Sequence, residues 1–319
     1  MHILVTGGAG FIGSNLCERL LSEGHSVTAV DDLSGGTKDN LADCFQSATF
    51  CFVQFDIVAD HGLAGILTGC DAVFHLAANS DVAKGRLVTD RDLRLGTIAT
   101  YNVLDAMREA GVREICFSSS SVVYGEPDCA PTPEHCGPFL PISLYGASKL
   151  ACEGLISAYS HNYGIQSWIY RFANICGRHA THGVIFDFLE KLSRNPTRLE
   201  ILGDGNQSKP YLHVSECIDG MLYAWRNLRT SPVQCLNLGC EGSTSTNTIA
   251  RIVIDALGLP NVAILHSGGS RGWPGDVPWV LLDCSKLKAL GWSASLHSEA
   301  AVRKATAEIL AERACKQLC

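Results

Sequence analysis

Short apolar runs recur along the first half of the chain, near residues 2–6, 26–30, 50–55, 71–76, 114–118 and 166–171. Between them lie stretches whose apolar positions return every three or four residues. A continuous apolar run suits a strand buried on both faces, and the longer period suits a helix with one buried side. Their alternation predicts an α/β fold, a doubly wound parallel sheet with helices on both faces. Past residue 171 the rhythm loosens. Helices are expected over 184–193, 214–228, 245–257 and from Ser298 onward, and strands over 199–202, 234–239 and 262–265. The turn-rich Gly203-Asp-Gly-Asn206 breaks this region, and 127–141, with five prolines, reads as an irregular loop.

The first strand, His2–Thr6, runs directly into Gly7-Gly-Ala-Gly-Phe-Ile-Gly13, and a helical pattern then starts at about Phe11 and ends near Gly24. Strand, glycine turn and helix in this order build a pyrophosphate site, the Rossmann arrangement. Gly7 and Gly10 permit the tight turn and the close approach of backbone to phosphate, and Gly13 lets the helix pack on the strand. The helix N-terminus adds unpaired N–H groups and the positive end of its dipole. The run satisfies both GxxGxxG and GxGxxG, so spacing alone leaves the subclass open. The second strand ends on Asp31-Asp32, where an acid is expected to hold an adenosine ribose. Asp31 would repel a 2′-phosphate, and no arginine follows before Arg86. NAD is therefore the expected cofactor. Asp32 is also read as part of a solvated turn.

Tyr145 and Lys149 stand four residues apart, on one face of a helix. A fixed ammonium favours a phenolate, so Lys149 is expected to lower the Tyr145 pKa and make it a base for a hydroxyl group. Upstream, a buried strand from about Glu114 to Phe117 runs into four serines, Ser118 to Ser121. At the carboxyl end of a parallel strand these hydroxyls should face the cofactor crevice.

Together the glycine run, Phe117 to Gly125, Tyr145 to Lys149, Arg171-Phe-Ala-Asn174, His75-Leu-Ala-Ala78, Gly203 to Gln207 and Arg271 to Asp276 resemble the extended short-chain dehydrogenase/reductases. Within these the chain is most similar to the nucleotide-sugar epimerase and dehydratase family, and there to UDP-glucose (UDP-galactose) 4-epimerases. The resemblance implies an NAD-binding domain of 1–170 plus about 213–241, and a smaller C-terminal substrate-binding lobe of 171–212 plus 242–319. It implies inversion at C4 of a UDP-hexose through a transient 4-keto sugar. Tyr145 would take the hydroxyl proton, Ser120 would hydrogen-bond the oxygen, and Lys149 would hold the nicotinamide ribose and the phenolate. NAD contacts are expected from Gly7, Gly10, Phe11, Ile12, Gly13, Asp31, Asp32, Asp56, Ile57, Leu76, Ala77, Ala78, Tyr145, Lys149 and Phe172. The nucleotide sugar would meet Ser120, Tyr145, Asn174, Val184, Leu202, Gln207, Lys209, Tyr211, Arg271 and Asp276. Lys209 stands where many relatives carry arginine, and it offers a point charge in place of a bidentate fork.

Three positions depart from the pattern. Gly96 replaces a usual asparagine, Phe172 a common tyrosine, and Val280 is small at a position that gates larger sugars. A 4,6-dehydratase needs an Asp-Glu pair where Ser121-Val122 stands, which disfavours that branch. A uronate 4-epimerase or decarboxylase stays open, with Arg178 as a cation for the carboxylate. A non-catalytic NAD sensor is disfavoured, since both Tyr145 and Lys149 are present. Family dimers imply a homodimer pairing near 97–110 and through the Tyr145–Tyr163 helix, with Val103, Leu104, Met107, Leu150 and Leu155 as candidate contacts.

At 319 residues, 46% hydrophobic and 18% charged, the composition is that of a globular protein with a large core. A net charge of −7 argues against a nucleic-acid partner. No stretch approaches the ~18 apolar residues of a membrane helix. The first strand begins at residue 2, and a cytoplasmic location is expected. Fifteen cysteines form no CxxC and sit mostly in apolar runs, and they are read as reduced thiols. The histidines show no metal spacing, although His179 and His182 flank an expected substrate loop.

Overall fold

The computed structural model describes residues 1–79, 87–273 and 275–318. Contacts divide the chain into two compact units. The first comprises Met1–Gly125, Gly137–Arg171 and Met221–Leu236, and the second Glu126–Cys136, Phe172–Gly220 and Asn237–Cys319.

The first unit is built on strands β1 (His2–Thr6), β2 (Ser26–Asp31), β3 (Phe50–Gln54), β4 (Ala72–His75), β5 (Glu114–Ser120) and β6 (Gln166–Phe172). Its helices are α1 (Phe11–Ser22), α2 (Leu63–Leu67), α3 (Ala99–Ala110) and α4 (Leu144–Tyr163). The strands of the sheet lie in the order β3-β2-β1-β4-β5-β6, and a late strand, Val233–Leu238, completes it beside β6. β1 pairs in parallel with β2 on one side and β4 on the other. The order therefore reverses between β1 and β4, and at such a switch point the carboxyl ends of the strands open a ligand crevice. Strand side chains Leu4, Val30, Val73, Ile115 and Phe117 form one core with Val103, Leu104 and Met107 of α3 and Ile156 of α4.

A six-residue π-helix, Leu93–Ile98, leads into α3, which the hydrophobic pattern did not foretell. Gly96 lies within it, and a Cβ there would stand 2.2 Å from Ser148 Oγ. That hydroxyl donates to Asp92 O at 2.7 Å and shares a hydrogen bond with Thr97 Oγ1 at 3.0 Å. Gly96 thus makes room for a side chain of the facing helix.

The second unit holds α5 (Val184–Arg194), β8 (Arg198–Ile201), α7 (Thr246–Ala256), β13 (Ala263–His266) and α9 (Ser298–Leu318). Ile185, Phe188 and Leu192 of α5 pack with Leu199 and Ile201, with Ile249 and Val253 of α7, and with Val302 and Ala305 of α9. Short strands β7 (Asn174–Cys176) and β10 (Tyr211–His213) pair in parallel, with Asn174 opposite Tyr211. Helix α6 (Val214–Asn227) follows β10, and β11 is the Val233–Leu238 strand. β9 (Ser208–Lys209) pairs with β12 (Thr244–Ser245), and α8 (Ser285–Ala289) follows later in the chain. No helix among the described residues is long and apolar enough to cross a membrane.

Candidate active site

The glycine turn is a cradle that only glycine permits. Gly7 has φ +67°, and a Cβ on it would meet Ala77 N at 2.8 Å. A Cβ on Gly13 would stand 2.0 Å from Gly7 O. The turns after β1 and β4 therefore touch through bare backbone, with Leu76 and Ala77 beside Gly7. Helix α1 opens after Gly10 with no side-chain cap and no acid in its first turn, where Phe11, Ile12 and Gly13 stand. This leaves the N-terminal N–H groups to an anion. Asp31, buried at the end of β2, accepts from Ala9 N at 3.0 Å and Leu33 N at 2.8 Å. Burial raises its pKa, and those two donors lower it. These residues fit a dinucleotide. Asp32 accepts from Ser34 in its own turn, in keeping with a solvated acid. Asp56 closes the turn after β3 by accepting from Val58 and Ala59, and the neighbouring Ile57 is buried.

Sequence reasoning missed a second layer around the turn. Gly36 approaches so closely that a Cβ would lie 2.6 Å from Ala9 O, and Asn40 Nδ2 donates to the same oxygen at 3.0 Å. Gly35-Gly36 was the available signal. His75 is also internal, bonded to Thr6 Oγ1 at 2.7 Å and Thr100 Oγ1 at 3.0 Å.

Tyr145 and Lys149 lie on the first turns of α4, which Ser143 caps by accepting from Gly146 N at 3.0 Å. A Cβ on Gly146 would meet Val122 O at 2.9 Å, so α4 starts directly against the turn after β5. Lys149 is buried, with Nζ 5.7 Å from the Tyr145 ring centroid, 4.6 Å from that of Phe117, and donating to Ser118 O at 2.6 Å. The expected lowering of the phenol pKa is overturned. Burial, followed by the charges of Asp92 and Cys152, pushes Tyr145 well above its usual value. The same burial depresses Lys149 to about 8. Desolvation, which penalises the charged form of each group, is the largest cause of both shifts.

Asp92 is a buried neighbour the sequence did not single out. One carboxylate oxygen accepts from Asn79 Nδ2 at 2.9 Å, and the other has no partner among the described residues.

The four serines do not form one polar turn, because β5 runs on through Ser120. Ser118 Oγ donates to His75 O at 3.3 Å, and Ser119 Oγ to Glu153 Oε1 at 2.5 Å. Ser121 is buried in the turn that follows. Ser120 is half-buried, and its Oγ accepts only a long bond, 3.4 Å, from Val122 N. Glu153 also receives Arg171 through two bonds of 3.0 and 2.6 Å, and Arg171 stacks over Tyr124 and Phe139. Arg171, the start of the Arg171–Asn174 run, is thus a buried structural cation.

The second unit brings six of the expected substrate residues to one cavity of about 120 Å³: Val184, Leu202, Gln207, Lys209, Tyr211 and Asp276. Gln207 Nε2 donates to Leu202 O at 3.0 Å, while its buried Oε1 has no partner among the described residues. Lys209 Nζ pairs with Asp276 Oδ1 at 2.5 Å. Arg271 donates to Asp276 O at 2.7 Å and to Glu126 at 2.6 Å, so each of the two cations has an acidic partner. Pro274, in the same run, lies outside the described residues. Asp187, Lys191 and Thr246 line the cavity without having been foreseen. Asn174 is half-buried on β7 and hydrogen-bonded to the Tyr211 phenol, Phe172 is buried, and Val280 is half-exposed. His179 pairs with Glu312 at 3.2 Å, and among the described residues no group could hold a metal.

Comparison with known proteins gives the family. The sequence model of the NAD dependent epimerase/dehydratase family matches residues 3–239, and the chain belongs to that family. Its cofactor is NAD. It is 35% identical over 300 residues to the UDP-glucose 4-epimerase of Mycolicibacterium smegmatis, covering 92% of this chain and 93% of that protein. A crystal structure of a UDP-galactose 4-epimerase superposes with TM-score 0.87 at 38% identity, covering 98% of this chain and 99% of the other. A UDP-glucuronic acid 4-epimerase from Bacillus cereus, solved with UDP-glucuronic acid and NAD, also reaches 0.87, at 26% identity over the whole of both chains. The shared fold does not by itself separate these sugars.

Proposed function

We propose that the protein is a UDP-hexose 4-epimerase that interconverts UDP-glucose and UDP-galactose. The observation that carries this reading is the Tyr145–Lys149 pair on α4, set against the turn that begins at Ser120. Bound NAD supplies a reversible acceptor for the hydrogen at C4. Gly7, Gly10, Gly13 and the start of α1 hold its pyrophosphate, and Asp31 holds the adenosine ribose. Tyr145 Oη takes the proton of the sugar 4-hydroxyl and later returns it. Ser120 Oγ, half-buried with one long bond from Val122 N, hydrogen-bonds the same oxygen. Lys149 Nζ holds the nicotinamide ribose and offsets charge on the phenol.

The cavity of the second unit takes the nucleotide. The unpartnered Gln207 Oε1 supports this, since it offers a buried acceptor to an N–H or O–H of the ligand. Lys209, Arg271 and Asn174 serve the diphosphate, and Asp276 the ribose. The uronate reading is the second choice, supported by the equal fold likeness to the Bacillus cereus enzyme. Incubation with UDP-glucose, UDP-glucuronic acid and UDP-N-acetylglucosamine, with the products followed by NMR, tests the assignment. Inversion of UDP-glucose at C4 is expected, and turnover of the uronate alone would replace the first reading by the second.

A further inference from the structure

Two thiols outside the reaction machinery stand almost within bonding distance. Cys129 Sγ and Cys136 Sγ are 2.7 Å apart, and a disulfide bond is about 2.05 Å long. Both residues are half-exposed, on the Glu126–Cys136 segment of the second unit. The loop holds them there from its middle. Thr132 is buried, and it donates through N to Leu281 O at 2.7 Å. Its carbonyl accepts from Asp283 N at 3.0 Å and from Asn237 Nδ2 at 2.8 Å. Glu134 Oε1 accepts from Asn237 N at 2.9 Å. Within the loop, Thr132 Oγ1 donates to Cys129 O at 2.8 Å and Cys136 N to Pro133 O at 3.0 Å, which turns the two arms toward each other.

Other thiols lack this combination. Cys17, Cys116, Cys152, Cys176 and Cys217 are fully buried, and burial pushes their pKa values up. Cys240 and Cys284, also neighbours, are both raised to about 12, chiefly by burial. A thiol must be reached before it can react, and Cys136, although also raised, is raised first by its hydrogen bond with Cys129 and remains half-exposed beside it.

We propose that Cys129 and Cys136 are a redox modification site, forming a reversible disulfide by exchange with a low-molecular-weight disulfide such as oxidised glutathione. One thiolate attacks a glutathione sulfur, making a mixed disulfide and releasing the first glutathione thiolate. The second protein thiolate displaces the other glutathione. One S–S bond forms in the protein and one breaks in the oxidant, and the two thiol protons end on the two glutathiones. The fold prepares the second step, because the attacking sulfur is already in place. Both cysteines are free thiols in the structure, and the proposal concerns their reversible oxidation.

The full chain should be incubated with oxidised glutathione, quenched by alkylation and mapped by peptide mass spectrometry. The expected product is a single Cys129–Cys136 cross-link, two hydrogens lighter than the dithiol and reversed by dithiothreitol. Cys136→Ser should instead trap glutathione on Cys129. Persistence of both thiols in alkylatable form, stable glutathione adducts on both in the unmutated chain, or equal cross-linking to other cysteines would each overturn the proposal.

Discussion

At the scale of single residues, the site is governed by the cost of burying charge. Tyr145 and Lys149 are near enough to interact, yet desolvation moves the two groups toward their neutral forms. If Tyr145 is the base, Tyr145→Phe should cut turnover by at least ~10²-fold, the lower end for acid–base catalysis, while the ring still packs. Lys149→Met should weaken NAD binding and turnover together, and Ser120→Ala should lower turnover alone. Steady-state kinetics with cofactor titration check all three, and near-normal turnover in Tyr145→Phe would reject the assigned base. Asp92 raises the pKa of both Tyr145 and Lys149 through its charge. Asp92→Asn should therefore lower both values and move the kcat/KM pH profile toward acid. An unmoved profile would show that Asp92 is only a structural partner of Asn79.

At the scale of elements, α4 and the π-helix before α3 are fitted to each other through Gly96 and Ser148. Gly96→Ala places a methyl 2.2 Å from Ser148 Oγ, and overpacking of this kind costs about 1–3 kcal/mol. The obstacle is the end of a side chain, so Ser148→Ala should recover part of the loss in the double variant. Thermal denaturation of the four forms measures the coupling, and additive losses would contradict the steric account. The same elements bear on dimer formation. Val103, Leu104 and Met107 are fully buried in the core of their own subunit, which removes them as interface contacts. The large apolar and aromatic side chains that α3 and α4 expose include Tyr101, Leu144 and Tyr163, with Arg108 stacked on the Tyr163 ring. A homodimer through these faces is the proposal. Sedimentation at micromolar concentration should give twice the monomer mass, and Tyr101→Glu should reduce it to the monomer.

At the scale of the whole molecule, acid stability should follow His75, which lies between β1, β4 and α3. Burial and then Lys149 hold its pKa down to about 3 from an ordinary value near 6.5. Between those values the unfolded chain binds a proton that the folded chain refuses. Stability should therefore fall as pH drops through that window, by up to about 1.4 kcal/mol per unit from this group. Unfolding midpoints from pH 7 to 4 check this, and His75→Gln should flatten the slope. An equal slope in the variant would assign the acid sensitivity to other groups.

The local pattern along the chain was enough for the strands of the main sheet and for the cofactor turn. Buried strands must be apolar on both faces, and a glycine run between strand and helix has few physical uses, so β1 to β6, α1 and the Gly7–Gly13 cradle were legible. Tyr145 and Lys149 were legible because a helix puts fourth neighbours on one face. The roles of polar residues within the core depended on contacts distant in sequence. Ser119 meets Glu153, His75 meets Thr6 and Thr100, and Gly96 yields to Ser148, at separations that no local pattern records. The pKa of Tyr145 likewise depended on how much water the fold leaves near it. Sequence spacing determined which groups could become neighbours, and tertiary packing decided which did so and in what dielectric.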